Sequence, residues 1–308
     1  MKLHIDTDLG GDIDDFCALA MLLRWPGVEL TGITTVAEVG SKRAGYVRHV
    51  LALEHREEIP VAAGADASLR PLRWEQVLLD EQAYWGETIP PSPNPLDQAL
   101  TLLKRSIEQG ATIVGIGPFT NLYLLEQRYP GILRAAPLVL MGGYVHPIPE
   151  GFPQWGNDLD YNVQADAQAA QSVLAASNPT LVTLSTTVQT ALRLADLERL
   201  KGAGALGRRV AQQAAAFAIQ ENYAEKLGSI YPRVPAGFIN FLHDPLACAI
   251  AAGWNEGVET LEVPLRLNFE EGRLHERIDP AGKPVMVVTQ IDAEQFNRFW
   301  LDTVCGVT

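Results

Sequence analysis

Five aspartates fall within the ten residues from Asp6 to Asp15, and this cluster constrains the chain more than any other stretch. It lies in KLHIDTDLGGDIDDFCALAM (2–21), which reads as a short apolar strand, a glycine turn and the start of a helix. Carboxylates this close repel, and each makes ionisation of the next harder. A fold keeps such a cluster when a cation neutralises it, when a proton is shared within it, or when the turn is well solvated. The helix start behind it favours anions and offsets part of the repulsion. The donors in the turn are hard oxygens, so a metal held there should be Ca²⁺ or Mg²⁺ rather than Zn²⁺. Asp and Gly are also ordinary turn residues. Five aspartates directly after an apolar strand favour a site over a plain turn.

The rest of the chain narrows the setting. Its 308 residues suit one large α/β domain, read here as a single domain over 1–308, and 47% hydrophobic content is ample for its core. A net charge of −13 argues against unspecific nucleic-acid binding, which needs a basic face. Cys17, Cys248 and Cys305 are far apart and show neither a disulfide framework nor zinc spacing. A reducing cytoplasm is therefore expected, with no signal peptide and no membrane-spanning stretch.

Apolar strands near 2–6, 29–36, 59–63, 111–116, 136–141 and 180–185 alternate with helices near 14–24, 41–54, 96–109, 119–128, 165–176 and 205–226. This alternation predicts a doubly wound, mostly parallel sheet with helices on both faces. Ligands collect at the carboxyl ends of such strands, where the aspartate turn begins. Strands near 260–268 and 284–290 and a closing helix complete the chain. Residues 70–95, with Trp74, Tyr84, Trp85 and the run IPPSPNP, and residues 143–160, with Trp155, read as long loops over a site. Three further motifs stand at or near strand ends: GIGPFTN (115–121), LMGGY (140–144) and HDPLA (243–247). The last sets an imidazole beside a carboxylate at a helix start.

The ordered set DTDLGGDIDD, GITTV (32–36), GPFTN, MGG, DYNV (160–163) and HDPLA resembles the nucleoside hydrolase family of N-ribosyl hydrolases, over residues 3 to about 250. The resemblance implies a doubly wound α/β fold holding Ca²⁺ at the strand ends, a small nucleoside as substrate, and a homodimer or homotetramer. It implies that Asp8 is both a metal ligand and the general base acting on water, and that Asp15, Thr120 (through its main-chain oxygen) and Asp244 complete the protein ligands. Asp14 and Asn162 match ribose-binding residues, and Asp160 stands where the family usually has a Glu. His243 matches the His near the leaving base, where it is either a general acid or a pocket wall. The chemistry is coherent: N-glycosidic cleavage builds positive charge on the sugar, which carboxylates stabilise, and negative charge on the base, which a proton donor relieves.

This chain also departs from the family pattern. Two extra residues, Gly11 and Asp12 among them, lengthen the first turn. Glu38 and Val39 occupy the place of a Gly-Asn whose Asn faces substrate, leaving Glu38 to accept a sugar hydroxyl or stand as a solvated charge. Tyr84, Trp85 and Gly86 replace a His-Gly loop, making Trp85 a candidate substrate contact, and STTVQ (185–189) lacks the usual Asp and His. Trp155 is a second candidate for stacking on a base, and Tyr223 and Tyr231, at the end of a long helix, either close over the base or pack the helix. Two rival readings remain: a nucleoside- or ribose-binding protein without turnover, and a phosphatase using the Asp6-Thr7-Asp8 turn.

Overall fold

The computed structural model describes residues 1–66 and 78–307; Trp74 lies outside them. Among the described residues, the strands up to residue 240 are β1 (Lys2–Thr7), β2 (Glu29–Thr35), β3 (Val61–Ala63), β4 (Thr112–Gly115), β5 (Leu138–Met141), β6 (Thr180–Val182), β7 (Leu192–Arg193) and β8 (Phe238–Asn240). The last three are β9 (Glu259–Glu270), β10 (Arg273–Ile278) and β11 (Lys283–Gln290). Nine form one sheet in the order β10-β9-β11-β6-β5-β4-β1-β2-β3, and β7 pairs with β8 separately. The run from β11 through β6, β5, β4, β1 and β2 to β3 is parallel throughout. Only the pairs of β9 with β11 and with β10 are antiparallel within this sheet.

Helices cover both faces because successive side chains of a strand point to opposite sides. Val114, Val139 and Met141 join a core with the helices Asp14–Arg24, Gly204–Glu221, His243–Ala251 and Ala293–Val304. Their chain neighbours Ile113, Leu138 and Leu140 join a second core with the helices Leu96–Glu108, Thr120–Arg128 and Ala167–Ala176. Strands buried on both faces read as continuous apolar runs, which is why the sequence displays them so plainly. No helix among the described residues is long and apolar enough to cross a membrane.

Among the elements that differ from the sequence reading, two bear on the site. The helix expected over 205–226 breaks at Asn222, which adopts a left-handed φ of 50°, and resumes as Tyr223–Lys226. The hairpin strand β10, RLHERI, was not expected. It lies at the sheet edge and buries only Leu274 and Glu276, so its charged residues hide its strand character.

Topology fixes where a site can form. From β1 the chain winds to β2 and β3 on one side, then crosses to β4 on the other. The crevice at such a reversal, beyond the carboxyl ends of the strands, is where doubly wound sheets take ligands. Here it opens between the segments that leave β1 and β4.

Candidate active site

Asp8 leaves β1 directly at this crevice. Ile116 N–H donates to the Asp6 carbonyl at 2.8 Å and Val36 N–H to the Thr7 carbonyl at 2.9 Å, tying both neighbouring strand ends to the turn. Gly117 of the GPFTN motif packs so closely that a Cβ there would stand 2.9 Å from both the Asp8 nitrogen and Oδ1. Gly10, at φ 106°, faces the Tyr46 ring, which a Cβ would meet at 2.8 Å. These glycines let the acidic turn lie against its supports.

A cavity of about 410 Å³ opens over the turn. Asp8, Asp12, Asp14, Asp15, His243 and Asp244 line it, and Asp160 and Asn162 enter from the side of β5. Ligand atoms of Asp12, Asp14 and Asp15 lie within 4.8 Å of one another. The helix His243–Ala251 reaches the cluster through its backbone, as Asp244 N–H donates to Asp14 Oδ2 at 3.2 Å. Asp15 is held by the Thr7 hydroxyl, and Asp12 accepts from Asp14 N–H at 2.7 Å just before the first helix. Burial and mutual repulsion raise these carboxyls: Asp8 to about 6, and Asp14, Asp15 and Asp244 well above the usual range. Such a set is under strong pressure to bind protons or a hard cation, and the all-oxygen donor chemistry fits Ca²⁺ or Mg²⁺.

His243 faces the cavity with Nδ1 2.7 Å from the Thr187 hydroxyl. Burial lowers its pKa to about 4 against the opposing pull of Asp12, so the ring is neutral near pH 7. When Nδ1 accepts from Thr187, Nε2 carries the hydrogen and can donate. Thr187 belongs to STTVQ, the segment that departs from the family pattern. Trp155 stands edge-on to Phe241 at 5.5 Å and 6.3 Å from the His243 ring, and it lines the same cavity.

Several expectations need correction. Trp85 does not line the cavity; it is 1% exposed, stacked on Tyr46 at 5.0 Å and flanked by Phe16 and His49. A loop tryptophan resembles a substrate contact in sequence, but this one fills the core beneath the acidic turn. Trp85→Ala should therefore lower stability by about 3–5 kcal/mol and leave the KM ratio between purine and pyrimidine nucleosides unchanged; urea unfolding and steady-state kinetics check both. Glu38 also turns away from the cavity. Its carboxylate accepts from the Thr35 hydroxyl and from the backbone N–H groups of Arg43 (3.1 Å) and Ala44 (2.9 Å). It thus caps the helix Lys42–Leu53 in place of Ser41, which has φ 61° and makes no side-chain cap. The Thr120 hydroxyl donates to Asp166 Oδ2 at 2.7 Å, a bond that does not involve the main-chain oxygen the resemblance assigns to the metal. Asp6 is buried outside the cavity lining and accepts from Thr34 (2.6 Å) and Asn121 (2.8 Å), a support role that leaves the phosphatase reading without its nucleophile.

Tyr223, which the sequence allowed either to close over the base or to pack its helix, reaches the cavity, and Arg43 is a lining residue that the sequence reading missed. Arg43 is 1% exposed, donates through Nε to the Ala37 carbonyl at 2.8 Å and through Nη1 to the Asp8 carbonyl, and lines the cavity below Gly11. Its charge lowers the pKa of both Asp8 and Asp15. An arginine on a helix face normally suggests solvent, so only the Glu38 cap beside it could have hinted at burial.

A family model described as inosine-uridine preferring nucleoside hydrolase matches residues 3–298. The chain belongs to this family. As a nucleoside hydrolase it is an N-ribosyl hydrolase, with relatives of both base classes. It is 30% identical over 264 residues to the pyrimidine-specific ribonucleoside hydrolase RihA of Salmonella paratyphi C, covering 82% of this chain and 79% of that one. Among solved structures it resembles the purine-preferring ribonucleoside hydrolase from Gardnerella vaginalis (TM-score 0.79, 22% identity, 100% and 99% covered). It also resembles the plant nucleoside hydrolase PpNRh1 (TM-score 0.78, 21% identity, 99% and 98% covered). These structural likenesses confirm the mostly parallel α/β architecture of the nucleoside hydrolases.

Proposed function

We propose that this nucleoside hydrolase cleaves the N-glycosidic bond of ribonucleosides in a Ca²⁺-dependent reaction, releasing ribose and a free base, within one catalytic domain. The convergence of Asp8, Asp14, Asp15, Asp244, Asp160, Asn162 and His243 on one cavity carries this reading. Asp8, Asp15, Asp244 and the main-chain oxygen of Thr120 would hold the cation, the Thr120 hydroxyl being committed to Asp166. When bound, Ca²⁺ supplies positive charge that neutralises the carboxylates and polarises the groups it touches.

The chain's own groups divide the remaining work. Asp8 accepts a proton from the attacking water. Asp14, Asp160 and Asn162 hold the ribose hydroxyls, and the surrounding carboxylates stabilise positive charge as it grows on the ring. His243, oriented by Thr187, offers its Nε2 hydrogen to the departing base. Trp155 and Tyr223 wall the base side. The relatives' names span pyrimidine-specific and purine-preferring enzymes, so the test panel must include both classes. The resemblance supports a homodimer or homotetramer, and the free cysteines suit a cytoplasmic setting.

The test is reducing-sugar release from purine, pyrimidine and modified ribonucleosides, with Ca²⁺ and with a strong chelator. Calcium-dependent release from at least one member is expected, and 2′-deoxynucleosides should react far more slowly. Tight nucleoside binding without any sugar release would instead support a binding protein of the same fold.

A further inference from the structure

Glu276 is a buried carboxylate that the reaction above does not use. It lies on β10 in the edge hairpin, 5% exposed, and is not part of the cavity lining. Its strand is bonded at two points to the segment that carries Asp160 and Asn162. Leu274 exchanges a reciprocal pair of hydrogen bonds with Gln164: Nε2 donates to the Leu274 carbonyl at 2.7 Å, and Leu274 N–H donates to Oε1 at 3.0 Å. Two residues on, and so on the same face of the strand, Glu276 Oε2 accepts from Asn157 Nδ2 at 2.7 Å. Glu276 Oε1 has no hydrogen-bond partner.

A carboxyl with one orphan oxygen is an expensive way to seal a hairpin, and an apolar side chain would do it at lower cost. What distinguishes this position is its neighbour. Asp160 is 1% exposed and accepts from the Gly143 and Val163 N–H groups, which aim its carboxylate along the first turn of the helix Tyr161–Ala165. Asp160 has one methylene fewer than the Glu usual there, so its reach depends more on where its backbone is held. Burial raises Asp160 to about 6, while burial and the Asp160 charge raise Glu276 to about 8. Both carboxyls are therefore harder to ionise than an ordinary carboxyl, Glu276 more so than Asp160. Leu267 lies opposite Glu276 on β9, Asn157 donates to it, and Asp160 is the charged group that raises its pKa.

We propose that Glu276 is a positioning residue for the ribose grip: by holding Asn157 on the same strand that pins Gln164, it sets the 157–162 turn from which Asp160 and Asn162 meet the sugar hydroxyls. This rests on the nucleoside reading above. Glu276 acts through Asp160 and does not touch the sugar itself.

The experiment uses the calcium-loaded full chain and the parent's best ribonucleoside, comparing Glu276→Ala, Glu276→Gln, Asp160→Asn and the Glu276→Ala/Asp160→Asn double variant between pH 6 and 9. Glu276→Ala should raise KM by about tenfold, the scale of a lost buried hydrogen bond, with kcat within about twofold. Glu276→Gln retains an acceptor for Asn157 and the shape of the protonated acid, so its KM should match the parent at pH 7. As pH rises through about 8 the parent gains a second charge beside Asp160 and its KM should climb, while that of Glu276→Gln stays level. The double variant should bind no worse than Asp160→Asn alone. An unchanged KM in Glu276→Ala, full additivity with Asp160→Asn, or parallel KM–pH profiles for parent and Glu276→Gln would each overturn the proposal. The last comparison decides the matter if Glu276→Ala does not fold. A parent that hydrolyses no panel member removes the functional reading and this inference together, whereas an active parent with an indifferent Glu276→Ala removes this inference alone.

Discussion

Asp8→Asn should lower kcat by roughly 10²–10⁴-fold, the range that general-base catalysis usually contributes, while leaving the fold intact. Asparagine keeps the size of aspartate and one carbonyl oxygen, but it cannot take a proton from water. The position is rigidly prepared for that task. Gly117 and the Arg43 guanidinium hold the Asp8 backbone from two sides, and the side chain is 7% exposed at the mouth of the strand. Elemental analysis must accompany the kinetics, because Asp8 is also proposed as a metal ligand. A variant with full calcium content and a large loss in kcat would assign the deficit to proton transfer. A variant with near-normal turnover would remove Asp8 from the base role altogether.

What the sequence displayed, and what it hid, follows from how each residue is buried. The parallel strands were legible because both of their faces are apolar. The aspartate turn, GPFTN, MGG and HDPLA were legible because their chemistry stands at strand ends, where chain order and topology coincide. Glu38 and Trp85 misled for opposite reasons. A charge at a strand end suggested a sugar contact, yet it satisfies the N–H groups of a helix whose own cap residue is left-handed. An aromatic in a long loop suggested a base contact, yet Trp85 itself is buried against Tyr46 in the core under the acidic turn. Arg43 was hidden because burial of an arginine depends on carbonyls supplied by two other segments, Ala37 and Asp8, which no local pattern reveals. Thr187 shows the reverse case: STTVQ departs from the family's usual residues but still provides a hydroxyl that orients His243.

Asp244→Ala should lower calcium content well below that of the parent and abolish most of the calcium-induced rise in Tm. The argument starts from repulsion. Asp244 is 4% exposed, and burial together with the charges of Asp15, Asp12 and Asp8 raises its pKa well above the ordinary value. A cation that binds only the folded chain relieves that repulsion and stabilises by about 2.7 kcal/mol at a concentration of 100 times Kd. Losing one carboxylate weakens the cation site and also reduces the repulsion left when the cation is removed. The two effects have opposite signs in the two states of the protein. In calcium the variant should melt well below the parent; in chelator the gap should shrink or reverse. This crossing separates a ligand from a residue needed only for packing, which would lower Tm equally in both conditions. Stoichiometric calcium together with a parent-like shift in Tm would show that Asp244 is not a ligand, and the Asp12, Asp14 and Asp15 oxygens, already within 4.8 Å of one another, would then become the donor set to test.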